Sequence, residues 1–364
     1  MSGILGALGI TEAAAERSFV STLGQRLVYE AVQAELAKYN AELRSVLGLF
    51  VGETTTDHKR RYELPGGGYL QKLGTQSQPA AVKAAGSWDV AFPLEDFGAQ
   101  FSRTRVAMAY MTIAQLNKHL DTVMIQDTNT MRREIMKALL DSGSGSPISF
   151  LDPIWGTLSV QPLANGDATV YPPVIGTDTE ATENHYLESG YAVTAISDVN
   201  NPCKVVVAEL EEHFGTPTGG SNIVLLTTPT ACDYIEALAD FDPVVNRFIQ
   251  PGANTDTVYG LPGGVPGRVR GVCNSAWIVE WRSLPANYAV GIHAEAPRPL
   301  VVREDPADTG LAGGLNLVGE DEEFPFRNAF YSHRFGLGAG NRLNGVALEF
   351  GIGGTYTIPT GYGH

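Results

Sequence analysis

Trp88-Asp89-Val90-Ala91-Phe92-Pro93-Leu94-Glu95-Asp96-Phe97 leads toward a helical pattern that holds from about Met111 to Asp141. The first part reads as an aromatic-rich strand. In the second, apolar residues recur at Ile113, Leu116, Leu120, Val123, Met124, Met131, Ile135 and Leu139, the three-four spacing of one buried stripe. Thr122, Gln126, Asn129, Arg133 and Lys137 fall on the opposite side. Thr112 and Gln115 have the spacing of a capping box, and Asp141-Ser142-Gly143-Ser144-Gly145 supplies the stop. About 30 residues at 1.5 Å each make a rod of roughly 45 Å, whereas a globular helix averages about 11–12 residues. A rod that long, wet on one side and expected to lay its stripe on a β layer, suits a strut across a flat subunit. It suits the wall of an enzyme pocket less well.

Composition narrows the field. The 364 residues are 43% hydrophobic, enough for a large core or two to three packed lobes. Forty-one Gly and 21 Pro imply many turns and substantial β content. No apolar run approaches the roughly 18 residues of a membrane span, so no membrane partner is expected. The apolar start, Met1 to Ile10, lacks the basic region of a signal peptide. Cys203, Cys232 and Cys273 fit buried thiols in a reducing compartment, with neither a disulfide framework nor a zinc knuckle. A net charge of −15 argues against direct nucleic-acid binding, which needs clustered Lys and Arg. The one dense basic cluster, His58-Lys59-Arg60-Arg61, is flanked by Asp57 and Glu63 and reads as a solvated strand end. Glu304 to Glu323 holds seven carboxylates and no basic residue. It lacks the alternating spacing of a cation loop and reads as an exposed acidic loop.

Organisation changes several times along the chain. Residues 11 to 47 read as helical, with Leu27, Val28, Ala31, Val32, Leu36, Tyr39, Leu43 and Val46 on one stripe. Gly48 to Ala99 switches to strands and turns, with a glycine tip at Pro65-Gly66-Gly67-Gly68 and a polar stretch from Gly74 to Ala81. This is the pattern of a long hairpin that cannot make a core of its own. Within Gly156 to Tyr171, Asn165-Gly166 predicts a hairpin turn. Asn201-Pro202 opens a helix that ends at Phe214-Gly215. A strand at Ile223–Thr227 and a helix at Thr230–Asp240 follow, then strands at Val269–Cys273, Ala276–Trp281, Tyr288–His293 and Leu300–Arg303. Tyr331, His333, Phe335 and Leu337 alternate with Ser332, Arg334 and Gly336 as a two-faced strand.

Catalytic signatures are missing. There is no G-x-S-x-G elbow, phosphate loop or H-E-x-x-H pair. Gly336-Leu337-Gly338-Ala339-Gly340 lacks the spacing and following helix of a dinucleotide loop. His185 and Glu188 sit three apart but follow an acidic loop, and His58, His119, His213, His293, His333 and His364 form no ligand-spaced cluster. No catalytic residue, cofactor or metal site is therefore expected, and the chain reads as a non-enzyme.

The order of elements resembles a tailed-bacteriophage major capsid protein, whose α+β fold was first described for phage Hong Kong 97. The resemblance rests on Trp88 to Asp96, on Ala109-Tyr110-Met111-Thr112 entering the long helix, and on Asp152-Pro153-Ile154-Trp155-Gly156-Thr157-Leu158. It also rests on Arg334-Phe335-Gly336-Leu337-Gly338 and Gly353-Gly354-Thr355-Tyr356-Thr357-Ile358-Pro359. It implies an N-terminal arm at residues 1–51 and an extended E-loop at 52–95. A peripheral domain follows at 96–189, with the spine helix at 111–141 and a β-hairpin. It further implies an axial domain at 190–310, and an acidic loop with returning strands at 311–364. Arm and loop would find no partners in their own subunit, so neighbours would supply them. Inter-subunit contact is then expected at Pro65, Gly66, Gly67, Gly68, Tyr69, Lys72 and Lys83. The implied product is an icosahedral virion shell of pentamers and hexamers, assembled in the bacterial host cytoplasm. Its partners would be copies of itself, a portal, separate scaffolding and decoration proteins, and double-stranded DNA enclosed without specific binding. Two rival readings are an encapsulin-like compartment of the same fold and a cytosolic enzyme with an unrecognised site.

Overall fold

The computed structural model describes residues 3–23, 25–64, 86–102, 107, 110–175, 177, 182–214, 222–243, 265–319 and 328–364. Short helices α1 (Gly3–Leu8), α2 (Glu12–Ala15) and α3 (Val20–Leu23) precede the long α4 (Gln25–Val46). Strands β1 (Val51–Thr55), β2 (Lys59–Leu64), β3 (Gly86–Ala91) and β4 (Glu95–Ser102) lead to α5 (Ile113–Leu140). Next come β5 (Ile148–Asp152), β6 (Gly156–Val160), β7 (Tyr186–Glu188), α6 (Pro202–Phe214), β8 (Ile223–Thr227), α7 (Pro229–Ile235) and β9 (Phe241–Pro243). The remainder is β10 (Arg268–Cys273), β11 (Ala276–Glu280), β12 (Tyr288–His293), β13 (Leu300–Arg303), β14 (Asn316–Gly319), β15 (Asn328–Ala339) and β16 (Val346–Glu349). Among the described residues, no helix is long and apolar enough to cross a membrane. Two compact units share the chain: Met1–Leu47, Leu94–Glu134 and Arg303–Gly336 form the first, and Gly48–Pro93, Ile135–Val302 and Leu337–His364 the second.

In the first unit, the spine helix α5 starts where its cap demands. Gln115 N–H donates to Thr112 Oγ1, and Thr112 N–H donates back to Gln115 Oε1, each at 3.3 Å. Leu116, Leu120 and Met124 are buried together with Val28, Ala31, Val32 and Leu36 of α4 and with Leu315, Leu317 and Tyr331. The stripe thus faces a helix as well as strands, where a β layer alone was expected. Ile4 of α1 and Val20 of α3 are fully buried in the same core. Most of the segment read as an arm without partners in its own chain is therefore packed into this unit, because α4 carries an apolar stripe that α5 covers. Leu27 is 49% exposed and falls off that stripe. Asn40 of α4 exchanges hydrogen bonds with Leu315, its Nδ2 donating to the carbonyl at 3.1 Å and its Oδ1 accepting at 3.0 Å. Antiparallel β4 and β14 flank β15, with Phe97 opposite His333 and Leu317 opposite Tyr331.

The second unit is built on a seven-stranded mixed sheet, β7-β16-β12-β8-β11-β10-β9. β8 at its centre is buried at every position, parallel to β11 and antiparallel to β12. α6 lies against it through Cys203, Val206, Val207 and Leu210. The approach is close enough that a Cβ on Gly291 of β12 would meet Val206 Cγ1 at 2.1 Å. α7 caps itself with Thr228 and ends at Ile235, shorter than the predicted 230–240. β2 and β3 form a separate antiparallel ladder, as do β5 and β6. The hairpin turn is therefore at residues 153–155, and Asn165-Gly166 is not one. Gly166 does adopt φ +73°, but Asn165 makes an isolated bridge to Asn184 and turns its side chain inward.

Candidate functional site

Work in this molecule falls to apolar groups left at the surface and to polar groups taken inside. The β5–β6 hairpin carries the clearest apolar surface. Asp152 Oδ1 accepts from the N–H groups of Ile154 and Trp155 at 2.8 and 2.9 Å, and Gly156 takes φ +74°, which together fix the tip. That tip presents Leu151, Ile154 and Trp155 at 74, 73 and 55% exposure. Trp155 also stacks on His58, ring centroids 4.1 Å apart. Large apolar groups grouped on a held tip make an apolar patch at the surface of the single chain.

The β2–β3 ladder brings the basic cluster beside its own acids. Arg61 and Lys59 both reach Asp89, at 2.9 and 2.8 Å, and hold its carboxyl down at about 2. Arg60 pairs with Asp57 and Glu53. A cleft of about 460 Å³ lined by Lys59, Arg61, Ser87, Asp89 and Thr157 therefore presents cations that are already neutralised. Pro65, Gly66, Gly67, Gly68, Tyr69, Lys72 and Lys83 lie outside the described residues.

Three buried polar constellations remain. In the first unit His333 and Asp127 are both nearly inaccessible, with Nδ1 and Oδ1 2.7 Å apart. Tyr39 donates toward the other Asp127 oxygen at 2.9 Å and also contacts Met124 O and Thr128 Oγ1. The residue types are those of a proton relay, yet burial pushes the Tyr39 hydroxyl up, away from activation. The network ties α4 and α5 to β15. In the second unit Arg342 is completely buried. It donates to the Pro162 and Leu163 carbonyls, Asn165 Oδ1 and Thr169 Oγ1, and pairs with Asp167 at 2.9 Å. The buried thiols of Cys203, Cys232 and Cys273 also sit here. Burial pushes the Cys232 thiol up to about 12, as expected of structural cysteines.

The third constellation was not legible from spacing. Ligand atoms of Glu183, Glu212 and His213 lie within 4.8 Å of one another. Beside them the His185 ring stacks on His213 at 5.5 Å, so two histidines read as isolated in sequence are neighbours in space. Burial, with the carboxylates of Glu212 and Glu183, pushes Glu209 up to about 7. Burial pushes His185 down to about 4. The i, i+3 and i, i+4 placement of Glu209, Glu212 and His213 on α6 was the local part of the signal; Glu183 and His185 arrive from elsewhere in the chain.

No protein-family model matches this sequence, and no curated protein matches it. Among solved structures, one from Mycobacterium phage Patience is similar over 92% of this chain and 91% of its own, with a TM-score of 0.65 at 20% identity. The capsid structure of cyanophage P-SCSP1u covers 83% of this chain and 86% of its own, at TM-score 0.47 and 12% identity. The mature capsid of bacteriophage PhiM1 covers 84 and 86%, at TM-score 0.47 and 11% identity. The first of these shows the fold: this chain has the α+β, Hong Kong 97-like architecture that the order of its elements implied.

Proposed function

We propose that this chain is the major capsid protein of a tailed bacteriophage, a shell subunit and not an enzyme. The observation that carries the reading is the likeness in fold to the structure from Mycobacterium phage Patience, which covers 92% of this chain and 91% of its own. The internal evidence agrees. The buried histidine, tyrosine and arginine networks lock elements together, and the apolar hairpin tip is exposed in the single chain. We assign residues 1–51 to the N-terminal arm, 52–95 to the E-loop, 96–189 to the peripheral domain, 190–310 to the axial domain and 311–364 to the returning strands. β2 and β3 then form the paired base of the E-loop.

Copies of the chain build pentamers and hexamers of an icosahedral head around double-stranded DNA, with a portal at one vertex. They assemble in the host cytoplasm, and the product is the virion. Repeated contacts let modest interfaces add across many copies. The charge of −15 gives subunits a mutual repulsion that salt shortens to about 8–10 Å near physiological strength. It also gives DNA no wall to adhere to. Light scattering of the purified chain against salt, with and without DNA, tests this: assembly rises with salt and DNA does not change it. A chain that stays monomeric at high concentration and salt, or that binds DNA tightly there, contradicts the proposal.

A further inference from the structure

Glu212 and His213 occupy the end of α6, with Oε1 of one 3.3 Å from Nε2 of the other. Glu183 comes from the segment ahead of β7, and its carboxylate reaches the same place. The backbone holds these pieces in register. Gly166 N–H donates to the Glu183 carbonyl at 2.8 Å, His185 N–H to Ala164 O at 2.8 Å, and Ile175 N–H to Glu212 O at 2.9 Å.

An independent observation comes from His185, which is wholly inaccessible. Its Nδ1 is 2.9 Å from the Gly345 carbonyl, an atom that can only accept, so Nδ1 carries the proton and Nε2 presents a lone pair. Nε2 has no hydrogen-bond partner and is aimed at Glu209 Oε1, 4.0 Å away. A buried nitrogen lone pair that receives no donor is unfavourable, and a cation held beside the stacked His213 ring offsets that cost. A carbonyl that fixes the far nitrogen of an imidazole is also the usual support of a metal-site histidine.

We propose that Glu183, Glu212 and His213 hold one divalent transition-metal ion, with His185 and Glu209 forming the inner wall of the site. One imidazole with two carboxylates suits zinc, cobalt or manganese better than calcium or magnesium, which take oxygen ligands alone. Bonds of about 2.0–2.1 Å put tetrahedral ligands about 3.3–3.5 Å apart. The Glu212–His213 pair already has that spacing, and a carboxylate oxygen of Glu183 lies within 4.8 Å of both ligand atoms. The ion clips the last turn of α6 to the entry of β7. This inference does not depend on the capsid reading.

The test is calorimetric titration of zinc into the chelator-treated full-length chain, repeated with Glu183→Gln and Glu212→Gln. Glu236→Gln, on a carboxylate paired with Arg270, is the control. One zinc per chain is expected, with affinity at least tenfold weaker in each of the first two variants and unchanged in the control. X-ray absorption of the zinc-loaded wild-type chain needs no variant to fold. It should show nitrogen and oxygen neighbours at about 2.0–2.1 Å with imidazole scattering. No binding, full affinity in both glutamine variants, or sulfur neighbours at about 2.3 Å would overturn the proposal.

Discussion

Replacing Arg342 by Met removes a side chain with five polar partners while keeping much of its volume. The guanidinium is fully buried and donates to two carbonyls, an amide oxygen and a hydroxyl besides its pair with Asp167. Breaking a buried charge pair from one side costs about 3–5 kcal/mol, because the groups left behind have lost water and gained nothing. Asp167 keeps 13% of its side chain exposed, so its own orphaning is softened and the lower part of that range applies. For units of about 150–250 residues each kcal/mol moves Tm by roughly 2–4 °C, giving a fall of about 6–15 °C. Arg342→Lys keeps the charge but loses the planar fork, and should recover less than half of the loss. Arg342→Met with Asp167→Asn should be less damaging than the sum of the two changes, since the unpaired carboxylate is gone. Circular-dichroism melts of unassembled protein measure this. A loss below about 1 kcal/mol for Arg342→Met would refute the claim that this network holds Pro162–Thr169 to the strand-end segment at 342.

Leu120 is 1% exposed in the first core, so Leu120→Asp should send the chain to the insoluble fraction, a penalty of several kcal/mol; soluble, folded Leu120→Asp protein would show the spine stripe to be misplaced. Asp141 tests pH dependence. Burial raises its carboxyl pKa, but hydrogen bonds from the His364 ring and from the N–H groups of Gly143 and His364 outweigh it and leave it below the ordinary 3.8. A depressed carboxyl stabilises the fold above its unfolded value, and that contribution is lost as pH falls below about 4. Asp141→Asn should therefore flatten the acid limb of a stability-against-pH curve, and an unchanged limb would count against this assignment.

What the sequence made legible was local. The spine was expected at about 111–141 and runs from Ile113 to Leu140, because the stripe, the Thr112–Gln115 box and the Asp141–Gly145 stop are all read within a few residues. Asn201-Pro202 and Phe214 bounded α6 for the same reason. The Asn165-Gly166 reading failed at longer range. The glycine has the expected positive φ, but Asn165 answers to Arg342 and to the Ser142 carbonyl, contacts that no short window contains. The real hairpin tip, Pro153-Ile154-Trp155, is held by Asp152, a side-chain cap with weaker sequence signature than Asn-Gly. The partner of the N-terminal helices escaped likewise, since an apolar stripe says that something covers it and not what. The acid–histidine cluster was the least legible, because Glu183 and His185 reach α6 through long-range contacts, among them the pairing of β7 with β16 and the backbone bonds to Ala164 and Gly166.

Electron microscopy of the purified full-length chain, expressed alone and brought to physiological salt, tests the shell assignment most directly. Closed shells or rings of five and six subunits are expected, with the Leu151–Ile154–Trp155 tip covered at contacts between copies. A field of dispersed single chains under every salt and concentration tried would contradict it.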